Sequence, residues 1–122
     1  MRIFPMACLF GAATVLAASP AIAHHGWSSY GENEFEVSGT VVSSNLGGPH
    51  GLIRVKASEG VWDVVLSPGA GITRAGLTQA AIPSGTRVTA RGHRHNAPGR
   101  LEIKTERLVV GSRTFDLYPN RP

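Results

Sequence analysis

Thiols are all but missing from this chain. The single cysteine among 122 residues, Cys8, falls in an N-terminal apolar stretch, so the rest of the chain can form no disulfide and offers a metal no thiolate. Packing alone must hold the fold, and any metal must be bound through nitrogen or oxygen. Also absent is an apolar run long enough to remain in a membrane: Leu9 to Ala18 is short and rich in alanine and glycine, and nothing later replaces it. Stable membrane insertion is not expected. The pair Gly47-Gly48 lacks the lysine and helix of a phosphate-binding loop. Acidic residues are scattered, and Ser28 and Ser29 neighbour histidines only in sequence. No hydrolytic set is legible, and the protein is not expected to be an enzyme.

What is present starts at the N-terminus. Arg2, the apolar run and Ala21-Ile22-Ala23 together read as a secretory leader over residues 1–23, with cleavage after Ala23 and a periplasmic product. Cleavage leaves 99 residues, enough for one small domain. It also exposes His24 as the first residue and His25 as the second. An N-terminal histidine offers an α-amine and an imidazole nitrogen in one chelate ring, a donor pair suited to copper(II). A polar start that merely helps the peptidase reach its bond is the plainer explanation of the same residues. The formal charge of +4 falls to +3 once Arg2 leaves, with basic residues thickest from Arg87 to Arg107. That face could meet a small anionic ligand or a periplasmic protein partner. An exported protein gives little reason to expect nucleic acid.

Residues 24–34 are polar and read as an arm that orders only by docking. Strict alternation then predicts strands at Glu34–Ser44, with Phe35, Val37, Gly39 and Val41 inward, and at Gly51–Ala57, with Ile53, Val55 and Ala57 inward. Val61–Leu66 closes a hairpin across Ser58-Glu59-Gly60, and Trp62 belongs to the core. Between Ala70 and Ile82 the composition suits two short helical pieces broken at Gly76, with Thr78 as an N-cap and Ile72, Leu77 and Ile82 buried. Thr86–His95 places Val88, Ala90 and Gly92 inward and sends Arg91, His93 and His95 to the other face. Leu101–Val110 and a short Thr114–Tyr118 strand complete the order. Three strands, a helical connection between strands 3 and 4, and two more strands is the order of a small five-stranded OB-like barrel, an all-β fold, over 35–118, with a tail at 119–122. A small β-sandwich competes, but the glycines inside strands favour a sheet that bends and closes.

In such a barrel His50 lies in the loop joining strands one and two, and His93 and His95 lie where strand four enters the loop to strand five. Those loops flank one face, so His24, His25, His50, His93 and His95 are candidate metal ligands, with copper as the cofactor. Copper carriage or buffering is the leading function, and a non-metal ligand-binding or interaction module using the basic loop face is the alternative. A copper redox enzyme with an N-terminal histidine brace is a remote third.

The run Ala23-His24-His25-Gly26-Trp27-Ser28-Ser29-Tyr30, with Gly39-Thr40-Val41, Gly48-Pro49-His50, Gly76-Leu77-Thr78, Pro83-Ser84-Gly85-Thr86-Arg87-Val88-Thr89 and Glu106-Arg107-Leu108, resembles the small exported bacterial proteins grouped as domain of unknown function 6152. That family usually has an asparagine where Gly48 precedes Pro49-His50. The resemblance implies an exported, single-domain, β-rich protein and confers no activity. Intact-mass analysis of the exported protein should give a chain beginning at His24; any other terminus removes the amine ligand from the copper argument.

Overall fold

The computed structural model describes Ile3 and residues 26–121. The rest of the proposed leader, His24, His25 and Pro122 lie outside the described residues. Six strands form one sheet: β1 (Phe35–Asn45), β2 (Leu52–Ala57), β3 (Gly60–Val65), β4 (Arg87–Arg94), β5 (Glu102–Val110) and β6 (Arg113–Asp116). β1 pairs antiparallel with both β2 and β4, β2 with β3, and β4 with β5. Parallel pairing of β3 with β5, Asp63 opposite Glu102 through Val65 opposite Lys104, closes five strands into a barrel, and β6 extends β5 beyond that seam. The fold is all-β and OB-like in its strand order.

The period-two pattern sorts the barrel's interior from its exterior. Val37, Val41, Ile53, Val55, Trp62, Val64, Val88, Ala90, Ile103 and Leu108 are all buried in a single apolar cluster. One end is plugged by helix α1 (Gly69–Ala75), which buries Ile72 and ends at Gly76 in the left-handed conformation (φ 80°); a single turn of 3-10 helix follows at Gln79–Ala81. Thr78 occupies the N-cap position of that turn with an extended backbone, but its side chain makes no capping hydrogen bond. Near the opposite end the Arg94 guanidinium lies 5.0 Å from the Trp62 ring centroid and 5.5 Å from that of Phe35.

Two bulges bend the sheet. In β1 the register steps from Val41 opposite Val55 to Ser43 opposite Arg54, which turns Val42 out to solvent. In β5 the register passes from Thr105 opposite Gly92 to Arg107 opposite Arg91, leaving Glu106 as the extra residue. Its carbonyl is thereby free of the β4 ladder and accepts the backbone N–H of Leu117 at 2.8 Å, tying the C-terminal return to the barrel wall.

Gly39 and Gly92 lie where neighbouring backbones close on them. A Cβ at Gly92 would lie 1.9 Å from the Lys104 carbonyl oxygen, and one at Gly39 would lie 2.2 Å from that of Lys56. Neither obstacle is a side-chain tip that can swing aside. Gly92→Ala should therefore cost about 3 kcal/mol or more in urea unfolding. Gly69→Ala, with open space around its position, should stay within about 0.5 kcal/mol of the parent.

Candidate functional site

Two segments outside the barrel cover the outer face of β4 and β5. The arm makes a turn over residues 26–29, and Tyr30 forms a bridge with His95; Gly31 N–H donates to the Arg94 carbonyl at 2.8 Å, and Asn96 N–H to that of Ser29 at 2.8 Å. From the other end of the chain, Tyr118 and Arg121 return to the same face. Trp27 lies between them, with ring centroids 5.0 Å from Tyr118, 5.8 Å from His93 and 6.4 Å from Tyr30, all edge-on. The Arg121 guanidinium stacks 3.7 Å from the Trp27 centroid.

Under this cover β5 carries charge at alternate positions, Glu102, Lys104 and Glu106, and all three are buried. Glu106 is held by His93 Nε2 at 2.8 Å and by Arg121 Nε at 3.3 Å, with Arg107 Nη1 at 3.8 Å from its second oxygen. His93 Nδ1 meets the Gly31 carbonyl at 2.7 Å. Both ring nitrogens are therefore engaged. His93 thus joins the arm to the barrel, and neither nitrogen is left for a ligand.

Glu102 accepts the Tyr30 hydroxyl at one oxygen and is paired with Arg100 at the other (Nη2 3.0 Å, Nε 3.2 Å). Burial, reinforced by the Glu102 carboxylate, holds the Tyr30 hydroxyl protonated far above the ordinary phenol range, and burial raises Tyr118 against the opposing charge of Arg121. Lys104 lies between these rings, its Nζ 4.9 Å from the Trp27 centroid, 5.8 Å from Tyr30 and 6.0 Å from Tyr118. Its pKa is lowered first by burial and then by Arg121, with Glu102 opposing both.

A cleft of about 300 Å³ opens beside this layer, lined by Gly26, Ser29, Tyr30, His50, Val65, His95, Arg100, Glu102 and Lys104. It lies between the β1–β2 loop, which supplies His50, and the β4–β5 loop, which supplies Arg100 and follows His95. The expected convergence thus extends to His50 and His95, and the arm reaches the same cleft at Gly26. His93 lies apart under the arm. His95 Nδ1 accepts the Ala97 N–H at 3.0 Å, so its neutral ring carries the proton on Nε2 and presents a donor rather than a lone pair. Among the described residues no three His, Cys, Asp or Glu side chains group so as to hold a metal ion. His24 and His25 lie outside those residues.

A larger depression of about 550 Å³ is lined by Glu34, Phe35, Glu36, Arg91 and Arg107. Both of its cations are already matched, Arg91 to Glu36 at 3.2 Å and Arg107 to Asp116 at 3.7 Å, and the charge left over there among the described residues is the Glu34 carboxylate. In the smaller cleft Arg100 matches Glu102, which leaves Lys104 without a carboxylate in direct contact among the described residues. That residual charge marks it as the better seat for a ligand.

The family model for a family of unknown function, DUF6152, matches residues 13–102. The chain belongs to that family. No curated protein matches it. The matched span of this DUF6152 protein takes in the arm, the barrel through the start of β5, and His50, His93, His95, Arg100 and Glu102. It ends before Lys104, Glu106, Tyr118 and Arg121. Those four, with Tyr30 and Glu102, are the site residues that sequence reasoning missed. The signal was present as Glu102-x-Lys104-x-Glu106, three charges on one face of a predicted strand, which an ordinary solvated face also produces.

The DUF6152 chain has two tyrosines in all, and both are raised from 10.0. Acids raised on folding contribute stability that is complete below the unfolded value and is lost as pH rises through the folded ones. Lys104, lowered from 10.5, acts oppositely: rising pH relieves the cost of burying its charge up to that value. Absorbance titration at alkaline pH should therefore find no native tyrosine ionising at 10.0, and both ionising together with loss of the fold. A tyrosine titrating normally in folded protein contradicts this packing.

Proposed function

We propose that this protein is an exported periplasmic binding module, not a turnover enzyme, whose ligand seat is the cleft between the β1–β2 and β4–β5 loops, and that the ligand is a small anion. The observation that carries the reading is the balance of charge and donors there. Arg100, Lys104, His95, His50 and Ser29, all with side chains able to donate, line the cleft, and the one carboxylate among its lining residues, Glu102, is already engaged by Tyr30 and Arg100. An oxygen-rich anion satisfies such a set, and a bare cation does not. The loops concerned are those that OB folds use for ligands, which supports the placement by analogy alone.

Copper(II) is the second reading, favoured by one observation: Gly26 and His50 line the same cleft. His24 is two residues from Gly26, a reach of about 7 Å of extended chain. This reading takes His24 and His50 as its ligands, with His25 adjoining. His95 joins only if it gives up the Ala97 hydrogen bond, and His93 would have to release Glu106 and Gly31.

Calorimetric titration of the cleaved protein with inorganic phosphate, citrate and copper(II) separates the two. Anion binding should weaken about tenfold in Arg100→Ala, the loss of one charge-assisted hydrogen bond. Copper binding should instead weaken on acidification and disappear when one residue is added before His24. Failure of phosphate and citrate to bind, with tight copper binding sensitive to His50→Ala, would replace the first reading by the second.

A further inference from the structure

Of the buried groups on the outer face of β5, Glu102 and Glu106 have strong polar partners. Lys104 does not. Among the described residues its Nζ makes no hydrogen bond and no ion pair, and its nearest companions are the faces of Trp27, Tyr30 and Tyr118. The side chain is only 4% exposed, yet it forms part of the cleft wall. Gly26 makes room for it, because a Cβ there would lie 2.8 Å from Nζ. Aromatic walls, and an amine with no polar partner among the described residues, are a poor solution for a purely structural lysine, since cation–π contacts replace only part of the lost hydration.

We infer that Lys104 is a covalent capture residue, and that the ligand class of the cleft is a small aldehyde or keto acid, an anion bearing a carbonyl. The inference rests on the reading of the cleft as an anion seat. Arg100 and His50 hold the anionic end while the Lys104 nitrogen attacks the carbonyl carbon. A C–N bond forms, the nitrogen gives up a proton, and the carbonyl oxygen becomes a hydroxyl. That hydroxyl takes a proton and departs as water, leaving C=N in place of C=O, with no change of oxidation state. Glu102 and the Tyr30 hydroxyl, bonded to one another on the cleft wall, are the acceptor and donor nearest to hand. The desolvated aromatic surroundings lower the pKa of Lys104 and raise the fraction of amine able to attack. A protonated imine retains the positive charge that the bound anion balances.

The composition makes the test unusually clean. The chain has two lysines, Lys56 and Lys104, and Lys56 is exposed on β2, so it serves as an internal control within the same molecule. The cleaved protein is incubated with glyoxylate and cyanoborohydride at neutral pH, and the modified residue is located by peptide mass mapping. Lys104 should be labelled about tenfold faster than Lys56. Citrate should slow labelling at Lys104 alone. Tyr30→Phe should slow it further, and urea should abolish the preference. Lys104→Arg keeps the cation among the rings, so it should fold, lose that label and leave labelling of Lys56 unchanged. Equal or faster labelling of Lys56, or a Lys104 rate that survives unfolding, overturns the proposal. Citrate binding with no label on Lys104 also overturns it while the anion reading stands. A selective Lys104 label without phosphate or citrate binding upholds the capture chemistry and removes that reading of the anion seat.

Discussion

The buried carboxylate of Glu106 is the point on which the functional face depends. Its 1% exposure leaves water no part in solvating it, so His93 and Arg121 must do so. One of those partners is joined to the arm through the Gly31 carbonyl, and the other belongs to the C-terminal return. The arm and the C-terminal return are therefore fastened to the barrel by the same anion. Removing it would leave the buried His93 imidazole without its carboxylate and free Arg121 from the barrel wall, and the arm, with Trp27 and Tyr30, would lose its seat.

That fastening explains why a barrel exterior can be as dry as a core. In a closed barrel one face of every strand points outward, and β5 is buried on that side only because the arm and the return lie over it. The resulting layer is polar beneath and aromatic above. It gives Lys104 surroundings that an open strand could not, and it sets Glu102 between Tyr30 and Arg100. The bulge at Glu106 belongs to the same design: it frees a carbonyl to hold Leu117, which starts the chain back toward Trp27.

The cleft then follows from the fold's topology. β1 runs antiparallel to β4, so the β1–β2 and β4–β5 loops lie at opposite ends of the barrel with the β3–β5 seam running between them, and the arm joins this face by pairing Tyr30 with His95. Residues as remote as Gly26, His50 and Arg100 thereby line a single cleft. Arg100 neutralises Glu102, and the charge left over is that of Lys104. A ligand that brings an anion and a carbonyl would meet a use for each of these groups.

Much of this architecture was legible in the chain. Period-two burial marked Val37, Gly39 and Val41, then Ile53, Val55 and Ala57, then Val88, Ala90 and Gly92, because the pleat alternates side chains without reference to anything distant. Glycine and proline set the breaks for equally local reasons, and the helical break at Gly76 needs only that residue's freedom to adopt positive φ. The loop placement of His50 and His95 followed from strand order. What alternation could not say is what covers an outward face: His93 was correctly turned away from the core, but its burial, and the spending of both its nitrogens, come from segments more than ten residues away in sequence. The same holds for Glu102, Lys104 and Glu106, whose spacing is that of any solvated strand. Local sequence determines which way a side chain points. Only tertiary structure decides whether water or protein meets it there, because that depends on where the arm and the C-terminal return come to rest.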